Sequence, residues 1–156
     1  MAVGTVSSLS SEPWSLIETL TFSGSSVTTT QDLTLYKNLK IVIENLTLSA
    51  AVNLGLRFNG ATTGYSGFAY DGLSTMRETT NQLALNYYQM TSYGPAQIDV
   101  FNSNNSTIIK TIDGFGAEKA GIIKGFWNST AAISSLTIFI SSGTSTGTIK
   151  IYGIAG

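Results

Sequence analysis

The feature that most constrains this chain is its two-residue hydrophobic rhythm, cut into short runs by Gly, Ser, Asn and Thr. Side chains alternate across a strand with a period of two, whereas a helix needs a period near 3.6. Leu39, Ile41 and Ile43 share one parity, and Leu46 and Leu48 take the other. That switch predicts a bulge at Glu44 and Asn45, where one extra residue re-aims the strand. Leu54, Leu56 and Phe58 form the next inward row, closed by Asn59-Gly60, a strong turn dipeptide. At the start, Trp14, Leu16, Leu20 and Phe22 share a parity that Glu18 interrupts. Residues 27–35 are Thr-rich and predict a second, more exposed strand, since β-branched Thr fits a pleated surface.

Further along, 59–81 is the least regular stretch, rich in Gly and aromatics, and is expected to be a functional loop. Leu83, Leu85 and Tyr87 resume the alternation, and Gly94-Pro95 breaks it. Residues 96–102 and 106–112 are expected to pair across Ser103-Asn104-Asn105, and Asp113 to Gly116 to form a turn. Strands are expected around 121–127, 133–140 and 147–154. Short strands at regular spacing with turns between them predict an all-β antiparallel sandwich or barrel rather than βαβ units, and a sandwich of about eight strands is the expected form; the resemblance described below makes it jelly-roll-like. Its predicted core contains Leu16, Leu20, Ile41, Ile43, Leu54, Leu56, Leu85, Val100, Ile138, Ile140 and Ile151. Residues 1–13 read as an N-terminal arm and 14–156 as one sandwich domain.

Composition narrows the chemistry. Charged residues make up 11% of the chain, under half the usual ~25%, and Ser, Thr, Asn and Gly take their place. Net charge is −1 and the eight basic residues are scattered, so no surface tracks a phosphate backbone and no nucleic-acid partner is expected. With no Cys and no His there is no thiol nucleophile, imidazole base, thiolate metal site or disulfide. The nine carboxylates form no paired or calcium-loop motif, and the glycines form no phosphate-binding motif. The chain is therefore expected not to be an enzyme and to need no metal or cofactor. Met1 to Pro13 has neither a basic segment nor an apolar stretch, so no signal peptide is expected. No run approaches the ~20 apolar residues of a membrane helix, so no insertion is expected.

Several segments in order carry a resemblance: WSLIETLTFSGSSVTTT from Trp14, LKIVIENLTLS from Leu39, LGLRFNGATTGYS from Leu54, AAISSLTIFISSGT from Ala131 and IKIYGIAG from Ile149. Over most of the span from Trp14 to Ile154 the chain resembles small jelly-roll-like virion structural proteins of tailed bacteriophages, of the head-decoration and fibre-tip type. The resemblance implies a virion protein made in the host cytoplasm, a homotrimer, and contact with other virion proteins such as the major capsid protein. With no shaft, heptad or collagen-like repeat, a capsid decoration (cement) protein on the outer head surface fits better. The alternative is a tail- or head-fibre tip that binds host cell-surface carbohydrate.

Two candidate sites follow. Val3, Val6 and Leu9 recur every third residue in the arm, giving apolar contacts for attachment along a neighbour. Tyr65, Phe68 and Tyr70 are the candidate exposed loop aromatics, suited to a host glycan or a protein partner.

Overall fold

A computed structural model describes residues 13–73, 76–117 and 121–156. Val3, Val6 and Leu9 lie outside the described residues. The described residues form thirteen strands and no helix, and every strand pair is antiparallel.

Eight of these strands make a jelly-roll framework. In chain order they are β1 (Ser15–Gly24), β2 (Ser26–Thr28), β3 (Tyr36–Val52), β4 (Leu54–Phe58), β7 (Leu83–Ala84), β8 (Met90–Tyr93), β12 (Leu136–Ile140) and β13 (Ser145–Ala155). One layer runs β1-β13-β3-β8 and the other β2-β12-β4-β7, so the chain crosses repeatedly between two four-stranded sheets. The described residues thus hold thirteen strands where about eight are expected, although the antiparallel all-β sandwich itself is present. The other five strands are β5 (Tyr65–Tyr70), β6 (Met76–Thr79), β9 (Ala96–Phe101), β10 (Lys110–Gly116) and β11 (Gly121–Trp127). They continue the larger sheet as β9-β10-β11-β5-β6.

Local sequence explains the joints. The bulge expected at Glu44 and Asn45 is present: β13 advances from Gly147 to Ile149 while β3 advances from Leu46 to Ile43. A Cβ on Gly147 would lie 2.1 Å from the Asn45 carbonyl oxygen, so only glycine admits the bulged backbone there. At the same height the strand opposite breaks at Gly94-Pro95, with β8 above pairing at Tyr93 to Leu46 and β9 below at Ala96 to Ile43. A second bulge lies between Leu16 and Glu18 on β1. It turns Ile17 toward the core and leaves Leu16 53% exposed, which corrects the placement of Leu16 in the core. Glu18, the misfit in the alternation, caps the following loop instead. Its carboxylate accepts the Thr30 amide at 3.0 Å, the Thr30 hydroxyl at 2.6 Å and the Gln31 amide at 3.3 Å.

Three other expectations are corrected. Residues 59–81 hold strands β5 and β6, not a loop. Asp113 to Gly116 are the end of β10, paired on both sides, not a turn. Of 27–35, only the start is strand, in β2. The remaining core residues named from sequence, Leu20, Ile41, Ile43, Leu54, Leu56, Leu85, Val100, Ile138, Ile140 and Ile151, are all buried in one cluster.

The extended sheet returns to close on the small one. Gly67 of β5 and Gly125 of β11 are cross-strand partners. Cβ atoms there would lie 3.0 and 2.8 Å from the Leu83 methyl of β7. Their missing side chains form the notch into which Leu83 packs. Next to it, Arg77 of β6 donates through Nη1 to the carbonyls of Leu54 and Asn86, each at 3.1 Å, and to Asn86 Oδ1 at 2.7 Å. Asn86 is fully buried, accepts the Leu54 amide at 2.9 Å and donates to the carbonyls of Val52 and Tyr88. A buried amide with its valences met is a specific clamp, because any other partner arrangement strands it without water. Burial holds the Arg77 pKa below its ordinary value.

Substituting Gly125→Ala would place a methyl 2.8 Å from both Leu83 and the Ser66 carbonyl. Forcing extra volume into such a contact costs about 1–3 kcal/mol. The urea midpoint, followed by tryptophan fluorescence, should fall accordingly. An unchanged midpoint would show that the notch is not a tight contact.

Candidate functional site

The inward residues of the extension, Ile98, Val100, Ile112, Ile123, Ala69 and Trp127, are buried. Alternation then forces their neighbours outward, and these are not uniformly polar. Phe115 of β10, Ile122 of β11, Tyr70 of β5 and Met76 of β6 stand in one cross-strand row. Phe115, Met76 and Ile122 are exposed by 64, 51 and 42%. Directly opposed side chains lie ~5 Å apart at Cβ, so the four make one continuous apolar ridge. Phe101 and Phe126, on either side of Thr111 in another row, add two further exposed rings. Contiguous apolar surface of this kind marks an interaction face more often than scattered single residues do.

Between these rows runs a line of charge. Lys40, Asp99, Asp113 and Lys124 face one another in order across β3, β9, β10 and β11. Two opposed carboxylates repel, and each is offset by a lysine on its far side. Lys40 Nζ lies 3.8 Å from Asp99, and Lys124 Nζ lies 2.5 Å from Asp113. Gln97 also donates to Asp99 Oδ2 at 3.0 Å. The line sums to zero charge. A half-exposed pair such as Lys124–Asp113 adds ~1 kcal/mol or less to stability, so its clearer effect is a neutral patterned face. Beyond Lys124 the row continues to Phe68 and Glu78. There, Ser66, Phe68, Glu78, Thr79, Lys124 and Phe126 line an open groove of about 240 Å³.

The candidate aromatics are split by the fold. Tyr65 is 4% exposed and belongs to the core, stacking on Trp127 at 6.1 Å between ring centroids. Its hydroxyl accepts the Phe58 amide at 2.7 Å. This corrects its assignment as an exposed ligand aromatic. Phe68 and Tyr70 do lie on the outer face, half-buried, and the Tyr70 hydroxyl donates to the Leu73 carbonyl at 2.9 Å. Phe115, Ile122, Phe101 and Phe126 are not among the residues that the sequence singles out. Their signal was a second, outward parity of apolar residues in 101–126, concealed by reading 113–116 as a turn.

No family model matches the chain, and no curated protein matches it. Among solved structures it is similar to the exo-inulinase of Aspergillus awamori, at 15% identity and a TM-score of 0.41 over 90% of this chain and 29% of that one. It is also similar to the GH43 BlXynB protein of Bacillus licheniformis, at 12% identity and a TM-score of 0.36 over 76% and 28%. A third is Scytalido-glutamic peptidase, at 13% identity and a TM-score of 0.35 over 79% and 65%. The chain spans less than a third of the length of the first two. Superpositions this loose carry no argument about activity, so the surface is read from its own residues.

Of the two opposed carboxylates, Asp113 is half exposed beside Lys124, whereas Asp99 is mostly covered and its Oδ1 is buried without a hydrogen-bond partner. Among the described residues, no three potential metal-ligating side chains come together. Replacing Phe115→Ser and Ile122→Ser together should leave stability within about 0.5 kcal/mol per site, as expected of exposed positions. It should also reduce binding of an apolar fluorescent dye. A large loss of stability in urea would instead place these side chains in the core.

Proposed function

We propose that this chain is a structural protein of a bacteriophage virion, a capsid decoration protein that binds the outer head surface as a homotrimer and performs no catalysis. The observation that carries this reading is the apolar ridge Phe115, Ile122, Tyr70 and Met76, set beside a charge line of zero sum. Exposed aromatic and aliphatic side chains release water on docking, and aromatic residues in particular act as interface anchors. A line of ions that sums to zero charge costs little at long range when copies crowd on one surface. The jelly-roll framework is the fold that the resemblance to tailed-phage virion proteins implies.

Attachment in this proposal uses the large-sheet face, assisted by the arm residues Val3, Val6 and Leu9. Many copies side by side convert a weak single contact into firm coverage.

Purified protein added to undecorated phage heads should bind in saturating, stoichiometric amounts and raise the temperature at which the heads disrupt, because a ligand of the assembled state stabilises it by mass action. The Phe115→Ser, Ile122→Ser double variant should bind at least about tenfold more weakly, the loss expected when interface anchors are truncated. Deleting residues 2–12 measures the arm's share separately. Heads that ignore the intact protein, or bind the double variant equally well, would reject this docking face.

A further inference from the structure

The opposite layer of the sandwich carries a different surface. On the outer side of the small sheet, Ser25, Ser26, Arg57, Gly60, Thr137 and Phe139 line an open groove of about 350 Å³. Arg57 is held in place from two directions. Its Nε donates to the Asn81 carbonyl at 3.1 Å, and its guanidinium carbon lies 4.5 Å from the centre of the Phe139 ring. The ring can lie that low because Gly55 beneath it has no side chain: a Cβ there would come within 2.7 Å of Phe139 Cζ. The Asn59-Gly60 turn bounds the groove and is itself locked. Asn59 Oδ1 accepts the amides of Ser134 and Ser135, and its Nδ2 donates to the Ala132 carbonyl. Among the described residues no carboxylate forms an ion pair with Arg57, and no acidic residue lines the groove.

A guanidinium held over a ring and by a hydrogen bond at Nε, with no counter-ion, presents its terminal nitrogens to a planar anion. We infer that this groove binds the carboxylate of an acidic monosaccharide unit, such as a uronic acid. Arg57 takes the carboxylate, and the hydroxyls of Ser25, Ser26 and Thr137 meet the sugar's hydroxyls. A single cation suits a monoanion better than a phosphate dianion. The groove is at the small end of the ~300–1,000 Å³ range of ligand sites, room for one sugar ring. The adjoining edge strand β2 has three residues, too few for a peptide to add as a strand. The inference goes beyond the docking role and is independent of it, since the two surfaces lie on different layers.

The test titrates the isotope-labelled full chain with methyl glucuronide, methyl glucoside, acetate and inorganic phosphate, reading backbone amide shifts by NMR. Methyl glucuronide should shift the amides of Ser25, Ser26, Gly60 and Thr137 saturably in the millimolar range, more tightly at low salt. The other three should bind at least about tenfold more weakly, because each lacks half of the recognition or carries the wrong anion. Arg57→Gln should abolish the shifts, with a circular-dichroism spectrum unchanged. Ser26→Phe, at an exposed edge position, should block the groove while leaving Arg57 in place. Equal binding of methyl glucoside, acetate or phosphate, or unaltered binding by either folded variant, would overturn the inference. So would the absence of any saturable shift.

Discussion

The seating of Leu83 against two facing glycines governs how this molecule closes. A sandwich of two four-stranded sheets leaves edges, and a bare edge strand offers unpaired backbone groups to any other chain. Here the large sheet continues past β9 and returns beside β7, so that edge meets side chains of the same molecule. The return depends on close approach. Any side chain at Gly67 or Gly125 would hold the layers apart, and the Arg77–Asn86 clamp beside them would then lose its register. The two contacts are complementary in kind. The glycine notch sets the distance by sterics, and the buried amide sets the alignment, because its four hydrogen bonds are met in one geometry only.

Closure has a consequence for the outer surface. Each extension strand sends one parity inward to complete the core, and the other must face out. In a strand built to be soluble the outward parity would be polar throughout. In β10 and β11 it reads Thr111, Asp113, Phe115 and Ile122, Lys124, Phe126. Burial of Phe115 or Ile122 would be worth about 1.5–3 kcal/mol each if a partner covered it. That gain is unused in the single chain. The charge line between the apolar rows works differently: its value to stability is small, and it fixes the lateral register in which a partner of matching pattern could sit.

Much of the framework was legible because parity is a strong signal where one face is buried. The bulge at Glu44 and Asn45 showed as a parity switch, and the strands from Leu39, Leu54 and Ile149 followed from alternation alone. Most of what was hidden has one cause: glycine and aromatic residues have two meanings. Gly67, Gly114 and Gly125 look like loop residues in sequence, yet each sits within a paired strand where another chain segment comes close. The stretch 59–81 therefore has the composition of a loop although it holds β5 and β6. Tyr65 illustrates the same ambiguity. A tyrosine after an Asn-Gly turn resembles an exposed anchor, but its hydroxyl here satisfies the Phe58 backbone inside the core. Leu16 failed for a smaller reason, since a one-residue bulge reverses every side chain before it.

The two layers also differ in what their glycines permit, and this gives the molecule two unlike faces. In the large sheet, glycine lets the neighbouring layer in and leaves aromatic rings outside. In the small sheet, Gly55 lets Phe139 lie down on the surface, and the ring then serves as a platform for Arg57. A cation stacked in this way loses less freedom on binding an anion than one on a mobile chain, so a weak ligand can be held at low entropic cost. Single-site affinity of that order has little effect on a lone monomer in solution. Several copies presenting the same groove in the same direction would raise the overall affinity without any new contact. The apolar ridge and the cationic groove lie on opposite layers, so a partner on one leaves the other open, and neither surface needs the other in order to bind.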